Sequence, residues 1–343
     1  MTAPSPHLPI REDWLAARVE AAIDPAFPIV DPHHHLWDRP KPRYLIDDVL
    51  ADFESGHHIV ASVFVECRAM YRASGDEGVR SIGETEFANG VAAMSASGAY
   101  GTTRLCDGIV GHVDLSLGDA AGQLLERHLA VSGGRLRGIR NITAWHAHPE
   151  VRTTPVPYRP DLFEDPRFHA GFRHLARLGL VFDSWQYHTQ LADLARLAEG
   201  YPETRIVIGH TGGPIGVGPC AHDRRAVFLE WRQGLKALAR LPNTFLKIGG
   251  LGMRVSGFDF HARELPPSSE DLAQAWRAFV EEAISIFSAG RCMFESNFPV
   301  DKGSYSYAVL WNAFKRLAAN ATPAEKADLF HGTAARVYGL SLP

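Results

Sequence analysis

The chain has 343 residues, 45% hydrophobic and 22% charged, with a formal net charge of -4. This is the composition of an ordinary globular protein, and the charge gives no global pull toward nucleic acid or an anionic membrane surface. No run of about 18 apolar residues and no basic-then-apolar leader occurs, so a cytoplasmic protein with neither a membrane span nor a nucleic-acid partner is expected.

Residues 1–27 are expected to form an N-terminal arm, with an amphipathic stretch over 14–23 that packs on the outside of a single domain spanning 28–343. Within that domain short apolar runs recur at 29–33, 59–66, 108–113, 136–142, 180–184, 205–208, 244–248 and 292–296. Their cores are rich in Val, Ile, Leu and Phe, as in strands buried on both faces, and the gaps leave room for helices. Helical patterns fall at 190–199, 225–240, 269–288 and 307–319. About eight strands alternating with helices is the count of a closed (β/α)8 TIM barrel. The stretches 143–170 and 253–269 read as long loops on the side where chain leaves the strands. The four cysteines, Cys67, Cys106, Cys220 and Cys292, contain no Cys-x-x-Cys pair and are expected to be reduced thiols.

Histidine is the outlier at 17 residues. The first strand runs from Ile29-Val30 directly into Asp31-Pro32-His33-His34-His35-Leu36-Trp37-Asp38. Alternation along a strand places His33 and His35 on one face and His34 on the other, so the outer two can chelate a divalent cation or grip a reacting oxygen. In a barrel the chemistry gathers at the C-terminal strand ends. There the fifth strand exits as Asp183-Ser184-Trp185-Gln186-Tyr187-His188, the sixth as Gly209-His210-Thr211-Gly212-Gly213-Pro214, and the eighth as Glu295-Ser296-Asn297-Phe298-Pro299-Val300-Asp301. Arg140, near the end of strand four, is a candidate clamp for a substrate carboxylate. Glu66 ends strand two and is expected to pair with Arg68. Trp37, Trp185 and Tyr187 are candidate walls for an apolar or ring-shaped substrate. His57 and His58 precede a strand, at the far end of the barrel, and are expected to be solvated. The glycine-rich stretch after strand six lacks the Gly-Lys-Ser/Thr ending of a phosphate loop, and no Gly-x-Ser-x-Gly elbow is present.

Taken in order, the Asp-Pro-His-His-His-Leu-Trp-Asp opening, Leu136-Arg137-Gly138-Ile139-Arg140, the His188 exit and the Gly-His-Thr-Gly-Gly-Pro and Ser-Asn-Phe-Pro turns resemble the amidohydrolase superfamily. The likeness is to its TIM-barrel branch of metal-dependent hydrolases containing sugar lactonases and 2-pyrone-4,6-dicarboxylate lactonase. The resemblance implies His33, His35 and His188 as metal ligands, zinc or manganese as the cation, and His188 and His210 as groups that bind metal or polarise the scissile carbonyl. The family usually has Gly-Ser-Asp-Trp-Pro on strand eight, its Asp serving as general base. Asn297 stands at that position here, and a neutral amide cannot take the proton. Glu295, two residues earlier on the same strand face, and Asp301, beyond the Pro299 turn, are both open as the base. The resemblance implies a hydrolase that opens a lactone of a sugar acid or of an aromatic-degradation intermediate. A non-oxidative decarboxylase on the same scaffold and a ligand-binding barrel without turnover are the alternatives. A small-molecule substrate is implied throughout, and a homo-oligomer is compatible with the sequence.

Overall fold

The computed structural model describes residues 7–39, 43–154 and 158–342. Eight strands, β1 (Pro28–His34), β2 (His58–Val65), β3 (Arg104–Gly111), β4 (Leu136–Ile142), β5 (Val181–Trp185), β6 (Ile206–Ile208), β7 (Thr244–Ile248) and β8 (Cys292–Phe294), pair in parallel in chain order. Each lies on an apolar run read from the sequence. The β1–β8 seam is closed by backbone past the end of β8: the Asn297 amide donates to the His33 carbonyl (2.9 Å) and the His35 amide to that of Phe298 (2.8 Å). Asp31 pins the same seam, accepting from the amides of His33 and Ser296 and from the Tyr307 hydroxyl. The result is a (β/α)8 barrel.

Alternation along the strands sorts side chains into an outer shell and an inner column. Outward residues such as Ile29, Phe64, Ile139, Phe182 and Leu246 join the helices in one large core. The base of the barrel interior is filled by Val30, Val63, Val65, Val110, Val207 and Met293, and Tyr338 and Leu340 of the C-terminal segment plug it from below. Above this apolar layer lie the fully buried Lys247 and Asp183, joined at 2.6 Å, with the Tyr338 hydroxyl also donating to Asp183. The histidines occupy the next layer, at the mouth.

The expected outer helices are Leu191–Gly200, Arg224–Ala239, Ser269–Phe287 and Tyr307–Leu317. Ser268 caps the third of these by accepting from the Asp271 amide. Residues 1–6 of the expected arm lie outside the described residues. Over 14–23 the amphipathic pattern gives only one short helix, Glu12–Ala16. Five residues are below the length at which a helix sustains itself, so packing sets the remaining path. That path does run along the outside: Asn312 exchanges hydrogen bonds with Ile23, Glu20 and Ala21, and Glu20 accepts the Ser269 amide. The arm also reaches beyond the outer wall. His7 stacks on Trp37 at 5.7 Å, which brings the first described residues over the barrel mouth. His57 departs from expectation. It is buried because its ring lies between the Ala308 carbonyl and the Lys315 ammonium, whereas His58 is exposed.

Asn312 is the anchor of the arm, with both amide atoms bonded in a buried setting. Replacing it with Ala leaves the Ile23 amide and Glu20 without their partner. The Asn312→Ala variant is expected to lose about 1–3 kcal/mol in urea melts and to become sensitive to proteolysis before residue 28.

Candidate metal centre and active site

Glu295 sits at the centre of the mouth, completely buried, between a histidine from β1 and one from the turn after β6. Its Oε1 accepts from both the His210 amide (2.9 Å) and the His210 ring Nδ1 (2.8 Å). Its Oε2 faces the His33 ring Nδ1 at 2.7 Å and receives no backbone donor. Burial alone would raise this carboxyl, but its close contacts with His210 and His33 outweigh it and hold it well below the usual carboxylate range.

Backbone geometry delivers His210 to that carboxylate. After β6 four successive residues, His210, Thr211, Gly212 and Gly213, take φ values of 52°, 55°, 73° and 65°. Left-handed backbone costs about 1–2 kcal/mol for each non-glycine residue, so the turn persists only because the surrounding contacts enforce it. Gly250 makes room, since a Cβ there would stand 2.6 Å from the His210 Cβ, and a Cβ on Gly249 would meet the Glu295 carbonyl at 2.4 Å.

Three histidine rings converge at this point. His33 is 4.9 Å from His35 and 4.6 Å from His210, centroid to centroid. Burial pushes His33 and His35 well below the ordinary imidazole value, with Lys247 adding to the effect on His33 and Arg140 to that on His35. Neutral rings are what a metal requires. The His35 Nδ1 faces the Val65 carbonyl at 2.8 Å, which places its proton there and leaves Nε2 as a lone pair. Trp37 stacks on His35, and Trp185 packs edge-on against His210 at 4.5 Å. His34 faces outward, its Nε2 on Ser62 and its ring against Phe53 and Phe64.

Among the described residues, the group whose donor atoms all lie within 4.8 Å of one another is His33, His210 and Glu295. Two imidazoles, one carboxylate and an open position make a catalytic-type donor set suited to zinc or manganese. The fully buried Glu295 carboxylate, set between two imidazoles and with no lysine or arginine among the described residues paired to it, is the observation that fits a cation here, because a buried anion is costly in a low dielectric without compensating positive charge. This set differs from the His33, His35 and His188 read from the sequence. His188 lies outside the group: its Nδ1 accepts the Ile215 amide at 3.3 Å, leaving the proton on Nε2. Burial lowers its pKa to about 4, so the ring is neutral at physiological pH.

The remaining candidates are placed as follows. Arg140 is buried and committed to Glu66, with Nε on the carboxylate at 2.8 Å and Nη2 on the Glu66 carbonyl, and its Nη1 is 3.4 Å from His33 Nε2. Glu66 therefore pairs with Arg140 and not with Arg68, because Glu66 and Arg140 both point into the barrel while Arg68 lies beyond the strand. The Tyr187 hydroxyl donates to the Val151 carbonyl and faces the Thr153 hydroxyl, which fixes the loop after β4. Asn297 donates its amide group to Asp301 at 2.9 Å, and Asp301 also accepts from the Gly252 amide and the Tyr305 hydroxyl. Sequence reasoning missed Lys247, whose Nζ lies 3.5 Å from His33 Nδ1 under the centre. Its signal was a lysine in the middle of the apolar strand Thr244-Phe245-Leu246-Lys247-Ile248.

Two outcomes follow. A Cβ at Gly250 collides with His210, so Gly250→Ala is expected to weaken zinc binding at least tenfold in a chelator competition while the barrel stays folded by circular dichroism. Burial raises the Asp301 carboxyl to about 7, against the three donors that oppose it. The folded chain then holds this proton more tightly than the unfolded chain, whose carboxyl titrates near 3.9. The group's favourable contribution to folding is complete below about pH 4 and is lost as pH rises through about 7. The stability of wild type relative to Asp301→Asn should accordingly fall between those values in urea melts; a flat difference would exclude the raised carboxyl.

Comparison with known proteins places this geometry in a family. Residues 30–340 match the amidohydrolase family. An uncharacterized protein of Sinorhizobium fredii, y4mH, is 32% identical over 332 residues, covering 90% of this chain and 98% of that one. An L-fucono-1,5-lactonase of Burkholderia multivorans is 29% identical over 237 residues, covering 68% of this chain and 72% of its own. An amidohydrolase of Burkholderia multivorans solved with bound zinc superposes with a TM-score of 0.71 at 25% identity, covering 92% of this chain and all of that one. The chain belongs to the amidohydrolase family.

Proposed function

We propose that the protein is a metal-assisted hydrolase that opens a cyclic ester by attack of water. The observation that carries this reading is Glu295, an ionised and fully buried carboxylate set between His33 and His210 at the barrel mouth. His33, His210 and Glu295 would hold the cation, with the His35 Nε2 lone pair beside them. When bound, a divalent cation there polarises a carbonyl and lowers the pKa of water.

The chain's own groups do the rest. Glu295 takes the place of the aspartate that Asn297 displaces and is the carboxylate that accepts the proton from water. Asp301 is the poorer candidate, since its oxygens already accept from Asn297, Gly252 and Tyr305 and its carboxyl is held near neutrality. It acts through Asn297, fixing which amide atom faces the mouth. His188 carries its proton on Nε2 and is a neutral donor for the oxyanion that develops as the ester carbonyl is attacked. Trp37, stacked on His35, and Trp185, edge-on to His210, wall the substrate ring and exclude water from the far side. A lactone needs less activation than an amide, so this modest donor set suffices. The lactonase of Burkholderia multivorans among the relatives supports the ester reading.

Protein purified without chelator should carry about one equivalent of zinc or manganese per chain. A pH-indicator screen over aldonolactones and muconolactones should register acid release, whereas carbon dioxide release from aromatic acids would favour decarboxylation. Glu295→Gln should lower turnover at least a hundredfold, and a loss below about tenfold would exclude Glu295 as the sole base.

A further inference from the structure

Beside the histidine centre, on the same face of the barrel, a cavity of about 500 Å³ opens between the loops that follow β2, β3 and β4. Its lining includes Arg68, Tyr71, Arg80, His112, Tyr158 and Arg159. The Glu66–Arg140 pair stands between this cavity and the centre: the charges of His112 and Arg68 act on Glu66, and the Arg140 carbonyl lies 3.1 Å from His112 Nδ1.

Arg68 is held there by unusual backbone. Its φ is 61° and that of Met70 is 51°, a conformation that non-glycine residues adopt only when their surroundings impose it. The restraint comes from Glu84, whose Oε1 accepts the amides of Cys67 and Ala69, both at 2.8 Å, one on each side of Arg68. Gly83 lets the loop settle onto the helix, since a Cβ there would be 2.5 Å from the Met70 carbonyl. Strain of this kind has no packing purpose for an exposed arginine. It sets where the guanidinium goes.

Arg68 has no carboxylate within 4.0 Å among the described residues; it meets the hydroxyl (3.0 Å) and the ring of Tyr158. Arg80 donates to the Arg72 carbonyl, while Arg159 is already paired with Asp161 and Asp165. The Tyr71 hydroxyl is buried with no hydrogen-bond partner. A planar cationic fork, a free phenol donor and a second phenol fit a carboxylate, which takes a bidentate guanidinium contact. Glu77 and Asp114 on the rim disfavour a group that concentrates two negative charges at one point, as phosphate does, more than a single carboxylate.

We infer that this cavity is a subsite for a carboxylate carried by the substrate, with Arg68 as its cation and Tyr71 and Tyr158 as its hydroxyl donors. Resting on the hydrolase reading, this makes the substrate a carboxylate-bearing cyclic ester in preference to a neutral sugar lactone.

Calorimetric titration of the metal-loaded protein with benzene-1,3-dicarboxylate, its neutral diamide and inorganic phosphate tests the subsite without requiring turnover. The dicarboxylate should bind wild type and lose at least tenfold in affinity in Arg68→Gln and several-fold in Tyr71→Phe, whereas the diamide should be insensitive to both. Affinity for the dicarboxylate within twofold of wild type in Arg68→Gln would overturn the subsite, as would its failure to bind wild type or equal competition by phosphate. Arg68 is exposed, so its variant folds. If no lactone is opened while carboxylate binding still depends on Arg68, the hydrolase reading fails and the subsite stands; hydrolysis of lactones with no Arg68 dependence gives the reverse.

Discussion

The mouth of this barrel is organised around a single buried anion. Glu295 has no access to water, and a carboxylate in that position is tolerated only if the protein supplies compensating dipoles or charge. One oxygen is satisfied twice by the same residue, through the amide and the ring of His210. The other faces the His33 ring nitrogen at 2.7 Å. Much of the nearby architecture follows from that arrangement: the left-handed turn that aims His210, the two glycines after β7 that give Glu295 and His210 space, and the lysine beneath.

Charge inside the barrel is layered. Valines and Tyr338 form a dry base, Lys247 and Asp183 neutralise each other above it, and the Glu66–Arg140 pair flanks the histidines. A buried ion pair contributes little net stability, but removing one member leaves an uncompensated charge that costs about 3–5 kcal/mol. These pairs therefore fix positions more than they stabilise the fold. Burial first, with the Lys247 charge adding to it, keeps the His33 ring neutral, the state in which it can serve as a ligand.

Much of the fold was legible in the amino-acid sequence because parallel strands buried on both faces must be nearly continuous in Val, Ile, Leu and Phe. The eight runs, the four outer helices and the inward pair His33 and His35 follow from periodicity alone. In the arm, the amphipathic pattern over 14–23 encodes contacts to other helices beyond the short Glu12–Ala16 helix. Pairings between distant segments were the least legible. Glu66 has Arg68 two residues away, yet its partner is Arg140, 74 positions along the chain, because both side chains point into the same barrel. His57 looked solvated beside a strand start and is covered by the Tyr307–Leu317 helix and the residues around it.

By itself the sequence determined the strand count and which polar residues, Asn297 among them, stand at the strand ends. Only the tertiary structure decided which of those residues come together. Periodicity says which face a side chain takes, but a donor set depends on distances between strands that are far apart in sequence, and on backbone turns that no period describes. It is the left-handed turn at His210 that brings this histidine, and leaves His188 outside, at the carboxylate of Glu295.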